Sequence, residues 1–222
     1  MGLFSFFKFN NSKSSDNPYK DISTNLIYNL LFCDNLDLYK ENAVKPYSYP
    51  FDILFSETST ITDLQKIIDD KNLESREKIL AYNIQIARGH KPNKKELLGV
   101  IIEIGLDSGL DVLASYNDGR ARYINQTGKM MIWEKTEDEQ ANKLISDLFA
   151  KSQEIVDRIG VWDKPRRPHP TKGVVRITFL VSDGICFGEG PIDVLFNDAL
   201  ANPALLSGTE LLRYFTEKTM KQ

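Results

Sequence analysis

The sequence predicts an α+β protein: an N-terminal helical layer, then an antiparallel sheet of five or six strands flanked by helices. Three observations carry the prediction. Apolar residues recur at helical spacing up to about residue 90, so that stretch builds amphipathic helices. From residue 97 the period changes to apolar runs broken by short turns containing Gly, the pattern of strands joined as hairpins. Two further helical stretches, 136–159 and 207–220, come between and after the strands, where they can cover a sheet.

The first element is the segment 1–18, read as flexible or amphipathic. It clusters Leu3, Phe4, Phe6, Phe7 and Phe9 ahead of a run rich in Asn and Ser. The apolar run is too short for a signal peptide or a membrane span, and no charged region precedes it. Myristoylation requires Ser or Thr where this chain has Phe6. The expectation is a strip that packs on its own domain; the other reading is a segment touching a membrane or partner through Phe4, Phe6 and Phe7.

Residues 19–92 form the helical region. Ile22, Leu26, Ile27, Leu30 and Leu31 give the first helix its apolar face. In KPYSYPFDILF, two prolines forbid a continuous helix and predict a packed connection with about one helical turn. Thr62 and Gln65 have capping-box spacing ahead of Ile67 and Ile68. A longer helix starts near Glu74, carries Ile79, Leu80, Tyr82, Ile84 and Ala87, and ends at Gly89, where a left-handed cap belongs.

Residues 93–222 form an antiparallel α+β domain packed against that layer. LLGVIIEIGL, LDVLASY, RARYIN and KMMIWE read as a four-strand meander. Pairing across Asp118-Gly119 puts Val112, Ala114, Tyr116, Ala121 and Tyr123 on the face that seeks a core, and Asp111, Ser115, Arg120 and Arg122 on the wetter one. Arg120 and Arg122 are expected to pair with Glu134 on the next hairpin. The helix 136–159, with a capping box of Thr136 and Glu139 and an end at Gly160, is expected to cover the apolar face.

GVVRITFLVSDGICFGEGP is a hairpin turning at Asp183-Gly184, and its first arm, largely apolar on both faces, is central in the sheet or covered by another layer. Gly188 and Gly190 then face the same side as Ile177 and Phe179, leaving a groove that an aromatic side chain is expected to fill. Ser207 and Glu210 cap the last helix, which carries Leu211, Leu212, Tyr214 and Phe215.

The stretch WDKPRRPHP, residues 162–170, is the first candidate site. From Trp162 to Arg176 it sets Lys164, Arg166, Arg167, Lys172 and Arg176 against Asp163 alone, whereas the whole chain carries a net charge of −3. Paired guanidinium donors suit carboxylates and phosphates, and the prolines present them stiffly. Trp162 is expected in the core at the base of this rim, with Arg166, Arg167 and His169 in solvent; a plain solvated connector is the simplest account. The second candidate, SDGICFGEGPID, holds Asp183, Glu189 and Asp193 among glycines, where carboxylates can divide acid and base roles. The binding residues expected from both are Trp162, Arg166, Arg167, His169, Arg176, Asp183 and Glu189.

No adjacent nucleophile and base, metal spacing, phosphate loop or dinucleotide fingerprint occurs, so no catalytic residue, metal or cofactor is expected. The excess of 31 carboxylates over 28 basic residues argues against nucleic acid as a partner. Cys33 and Cys186, too far apart for a disulfide framework, suit the reducing cytosol of a soluble, bacterial type of protein. The functional expectation is a non-catalytic interaction or accessory protein, such as an adaptor, a chaperone-like factor or a toxin-neutralising partner. It would bind another protein through aromatic and basic loop surfaces, Tyr47–Phe55 and Trp162 among them. The alternative is a small-anion binder or hydrolase using a cleft between 162–176 and 183–193.

Overall fold

A computed structural model describes residues 17–219, so the aromatic strip at Leu3–Phe9 lies outside the described residues. One six-stranded antiparallel sheet, with strands β1 (Leu97–Leu106), β2 (Gly109–Tyr116), β3 (Ala121–Ile124), β4 (Met130–Trp133), β5 (Val174–Val181) and β6 (Gly184–Pro191), has the order β4-β3-β2-β1-β5-β6. Helices cover both faces, in agreement with the α+β class. On one face lie α1 (Ile22–Leu30), α2 (Leu36–Asn42), α3 (Phe51–Leu54), α4 (Ile61–Asp69) and α5 (Ser75–Ala87). On the other lie α6 (Glu139–Val156) and α8 (Ala201–Thr219), with the short α7 (Ile192–Leu195) between β6 and α8.

The sheet therefore separates two cores. Ile101, Val112, Ala114, Tyr116 and Ile124 pack against the N-terminal helices, while Val100, Ile102, Leu113, Ala121 and Trp133 pack against α6 and α8. This corrects the expected faces. The β2–β3 hairpin closes with three residues, Tyr116 pairing with Arg120 and Gly119 at φ +88°, so the register differs by one residue from that of a two-residue turn. A shift of one exchanges the faces of β3: Arg122 lies opposite Ala114, and Ala121 opposite Ser115. The face of Val112, Ala114 and Tyr116 consequently meets the N-terminal layer, and α6 covers the other. In the second hairpin Val181 pairs with Gly184, so Ser182 and Asp183 form the turn, one residue earlier than expected. That shifts the partners by two and preserves the faces: Gly188 lies opposite Ile177 and Gly190 opposite Val175. Leu195 of α7, rather than an aromatic residue, fills the space over Gly190, and among the described residues nothing beyond its chain neighbours would come within 4 Å of a Cβ at Gly188.

Helix boundaries moved where a better cap was available. Thr60 and Asp63 form the capping box of α4, two residues ahead of Thr62 and Gln65. Asp138, accepting from the Ala141 amide at 2.9 Å, starts α6 instead of Thr136, and the helix ends at Val156, before Gly160. Helix α8 begins at Ala201, capped by Asp198, so Ser207 is interior. At α5 the expectation holds: Gly89 follows the helix at φ +81°. The apolar face of α1 is rotated. Thr24, Asn25 and Tyr28 are buried, whereas Ile22 is 85% exposed and Leu30 only half-buried.

Candidate functional site

Strand β1 is buried along almost its whole length, yet it carries Glu103. In the register, Glu103 faces Arg176 of β5, and Arg176 faces Glu189 of β6, so three charged side chains form a row across one face of the sheet. Glu103 is wholly buried and Arg176 is 3% exposed. Tyr28, from the buried side of α1, donates to Glu103 Oε1 at 2.7 Å. Glu103 Oε2 has no hydrogen-bond donor among the described residues and lies 3.6 Å from Arg176 Nη1. Arg176 bonds Glu189 Oε2 through Nε at 2.7 Å and also through Nη2.

The loop 162–173 closes over this row. Arg176 donates to the Pro168 carbonyl at 2.6 Å and the Arg167 carbonyl at 3.3 Å, and Arg167 pairs with Glu189 Oε1 at 2.9 Å. The backbone at Pro170 and Thr171 passes so close to Gly105 that a Cβ there would collide with the Thr171 carbonyl oxygen. His169, whose Nδ1 lies 3.1 Å from the Pro170 carbonyl oxygen, is half-buried beside the row.

Arg166 is not the solvated charge that the sequence suggested. Its Nε bonds Asp34 at 2.9 Å, its Nη2 bonds Asn29 at 2.7 Å, and its guanidinium lies 3.9 Å from the centre of the Phe32 ring. It ties the loop to the N-terminal layer. Trp162 is likewise displaced from the expected core position. It is half-buried, its amide pairs with Ile185 O at 2.7 Å, and its ring meets Phe187 edge-on at 5.1 Å. Prolines at 165 and 168 keep the chain extended outside the sheet, which leaves the indole on the surface of β6. Arg166→Ala is therefore expected to lower stability by about 1–2 kcal/mol, by unpairing Asp34 and removing the cover over Phe32. Arg167→Ala, at a half-exposed pair, is expected to change it by only about 0.5 kcal/mol. Trp162→Ala falls at about 1 kcal/mol instead of a core value. Urea midpoints of the three variants check this order.

Of the expected binding residues, the fold brings together Arg166, Arg167, His169, Arg176 and Glu189. Trp162 lies at their edge. Asp183 does not join them: it sits in the hairpin turn at the other end of β6 from Glu189, about 20 Å away along an extended strand. The arginines face carboxylates of the same chain, so the basic rim is largely neutralised from within. Arg120 and Arg122 do pair with Glu134, as expected, and Arg120 also reaches Glu74 and Asp118 at 3.4 Å. Sequence reading missed Glu103, Tyr28 and Asp34. The available signal was a single carboxylate in an otherwise apolar ten-residue strand, matched by the single arginine in VVRITFLV.

Burial raises the pKa of Glu103, opposed by Arg176 and by the Tyr28 hydrogen bond. The native state then holds this proton more tightly than the unfolded chain. The contribution of Glu103 to stability is full below its ordinary value of 4.5 and is lost as pH rises through the raised native value. Glu103→Gln, which keeps the shape and the acceptor for Tyr28, is expected to remove that slope from a stability-against-pH curve.

A second feature lies in the N-terminal layer. Leu30, Tyr39, Val44, Tyr47 and Phe51 line an open groove of about 290 Å³, and a second depression of about 420 Å³, rimmed by Asp37, Lys40, Glu41 and Lys45, adjoins it at Ala43 and Tyr47. Tyr47 and Phe51 are held by Phe55, at ring separations of 4.9 and 5.4 Å. Val44 is 87% exposed and Tyr49 45% exposed. Among the described residues no group of His, Cys, Asp or Glu is placed to hold a metal ion, and no helix is long and apolar enough to cross a membrane. Comparison with protein-family models, with curated proteins and with solved structures gives no match.

Proposed function

We propose that this chain is a non-catalytic interaction or accessory protein of the bacterial cytosol, and that its recognition surface is the aromatic groove between α1, α2 and α3. One observation carries the reading: Leu30, which helical spacing assigns to the core, instead lines an open groove with Tyr39, Tyr47 and Phe51 beside the exposed Val44. Contiguous exposed apolar surface with a polar rim is the signature of a protein contact. The partner is a polypeptide segment that inserts one or two apolar side chains between Tyr39, Tyr47 and Phe51. Charges of both signs flank them, matching Asp37 and Glu41 as well as Lys40 and Lys45. The buried free thiols of Cys33 and Cys186 fit a reducing compartment.

Val44→Asp places a charge in the groove at an exposed position, so folding is expected to change by no more than about 0.5 kcal/mol. Recovery of the specific partner from the native host is expected to fall about tenfold or more, as it does when a contact centre is disrupted. Lys164→Ala with Arg167→Ala serves as the parallel bait and is expected to retain it. Loss with that double variant and retention with Val44→Asp would move the interface to the loop 162–173.

A further inference from the structure

Around the row described above, three guanidinium groups, Arg166, Arg167 and Arg176, are matched by three carboxylates, Asp34, Glu103 and Glu189. We propose that this cluster takes up a proton on Glu103 and a small anion on Arg167 together, so that each event favours the other. The geometry supplies both positions. Glu103 Oε1 is occupied by the Tyr28 hydroxyl, whereas Oε2 is wholly buried with no donor within hydrogen-bonding distance among the described residues. A carboxyl proton on Oε2 removes a buried negative charge that Arg176 Nη1, at 3.6 Å, meets without a hydrogen bond.

Among the described residues, titratable and charged groups face Glu103 from α1, the loop and β5. Tyr28 of α1 and Tyr19 ahead of it are neutral and, through burial, titrate above their ordinary range. Arg166 and His169 come from the loop and Arg176 from β5, with Glu189 of β6 and Asp34 behind them. Once Glu103 is neutral, three guanidinium groups face two carboxylates. Asp34 remains committed to Arg166, and Glu189 alone then serves both Arg176, through Oε2, and Arg167, through Oε1. Arg176 is 4% exposed at its side chain and cannot exchange a partner with solvent, but Arg167 is 50% exposed. The uncompensated charge is therefore met from outside at Arg167, where a guanidinium takes a small anion through paired donors. The burial that raises the Glu103 pKa acts in the same direction. Because coupling is reciprocal, the anion also strengthens protonation.

Thermal unfolding of the full chain tests this in chloride and in phosphate, against gluconate at matched ionic strength, from mildly alkaline to mildly acidic pH. In the wild type the stabilisation specific to chloride or phosphate is expected to grow as pH falls, with apparent affinity rising roughly tenfold, within the usual range of coupling. Glu103→Gln fixes the neutral form and is expected to show that affinity at every pH. Arg167→Ala is expected to abolish it in both backgrounds. A wild-type anion effect that is independent of pH, or one that survives Arg167→Ala, would overturn the proposal. So would a folded Glu103→Gln protein that does not distinguish chloride or phosphate from gluconate. If Glu103→Gln fails to fold, the wild-type pH series and the single Arg167→Ala variant still decide the matter.

Discussion

Arg176→Ala is expected to destabilise the protein by about 3–5 kcal/mol, the range for breaking a buried ion pair by removing one partner. Its guanidinium stands between two carboxylates, and Glu103 is fully buried with one oxygen already lacking a donor. Removal leaves Glu103 without its nearest cation and takes two donors from Glu189 and one each from the carbonyls of Arg167 and Pro168. The loop 162–173 thereby loses two of its hydrogen bonds to the sheet and keeps those of Trp162 to Ile185 and of Gly173 to Gly105. Arg176→Ala combined with Glu103→Gln is expected to recover part of the loss, because the uncompensated charge is gone. Urea unfolding of the two variants measures this. A single variant within about 1 kcal/mol of the wild type, the ordinary value for an exposed pair, would mean that the row contributes little.

Trp133→Ala is expected to cost about 3–5 kcal/mol, as removal of a large buried aromatic does. Trp133 is 4% exposed, on edge strand β4, with its ring 4.5 Å from that of Phe215 and 6.2 Å from that of Tyr214 on α8. It joins the far edge of the sheet to the last helix, so its loss opens a cavity between these two elements. Its Nε1 has no acceptor among the described residues. Trp133→Phe, which removes that buried donor while keeping much of the ring, is expected to cost less than about 1.5 kcal/mol. Thermal unfolding of both variants beside Trp162→Ala gives the ranking. A larger loss at Trp162 than at Trp133 would show that the packing between β4 and α8 is not what holds this edge.

Much of the fold was legible because it depends on local signals. The change of period near residue 97, the Gly-containing turns and the two-sided apolar character of VVRITFLV marked out an antiparallel sheet of five or six strands, of which the fold has six, and Gly89 marked the end of α5. Helix starts were less legible. Thr60, Asp138 and Asp198 each compete with neighbouring Ser, Thr or Asp residues of similar capping strength, and packing decides among them. The candidate site was half visible: the basic stretch and Glu189 stood out by composition, but Glu103 and Tyr28 sit within apolar segments that look like plain core.

By itself, the sequence determined the element types, the α+β class and the local excess of arginine, because these follow from side-chain period, turn chemistry and composition along the chain. The tertiary structure decided which face each residue presents and which charges meet. One extra residue in the Asn117–Gly119 turn exchanged the faces of β3, and the pairing of β1 with β5 and of β5 with β6 set Glu103, Arg176 and Glu189 in a row. Those partners are far apart in the chain. Register between strands depends on the sum of all contacts across the sheet, so no local pattern could assign it.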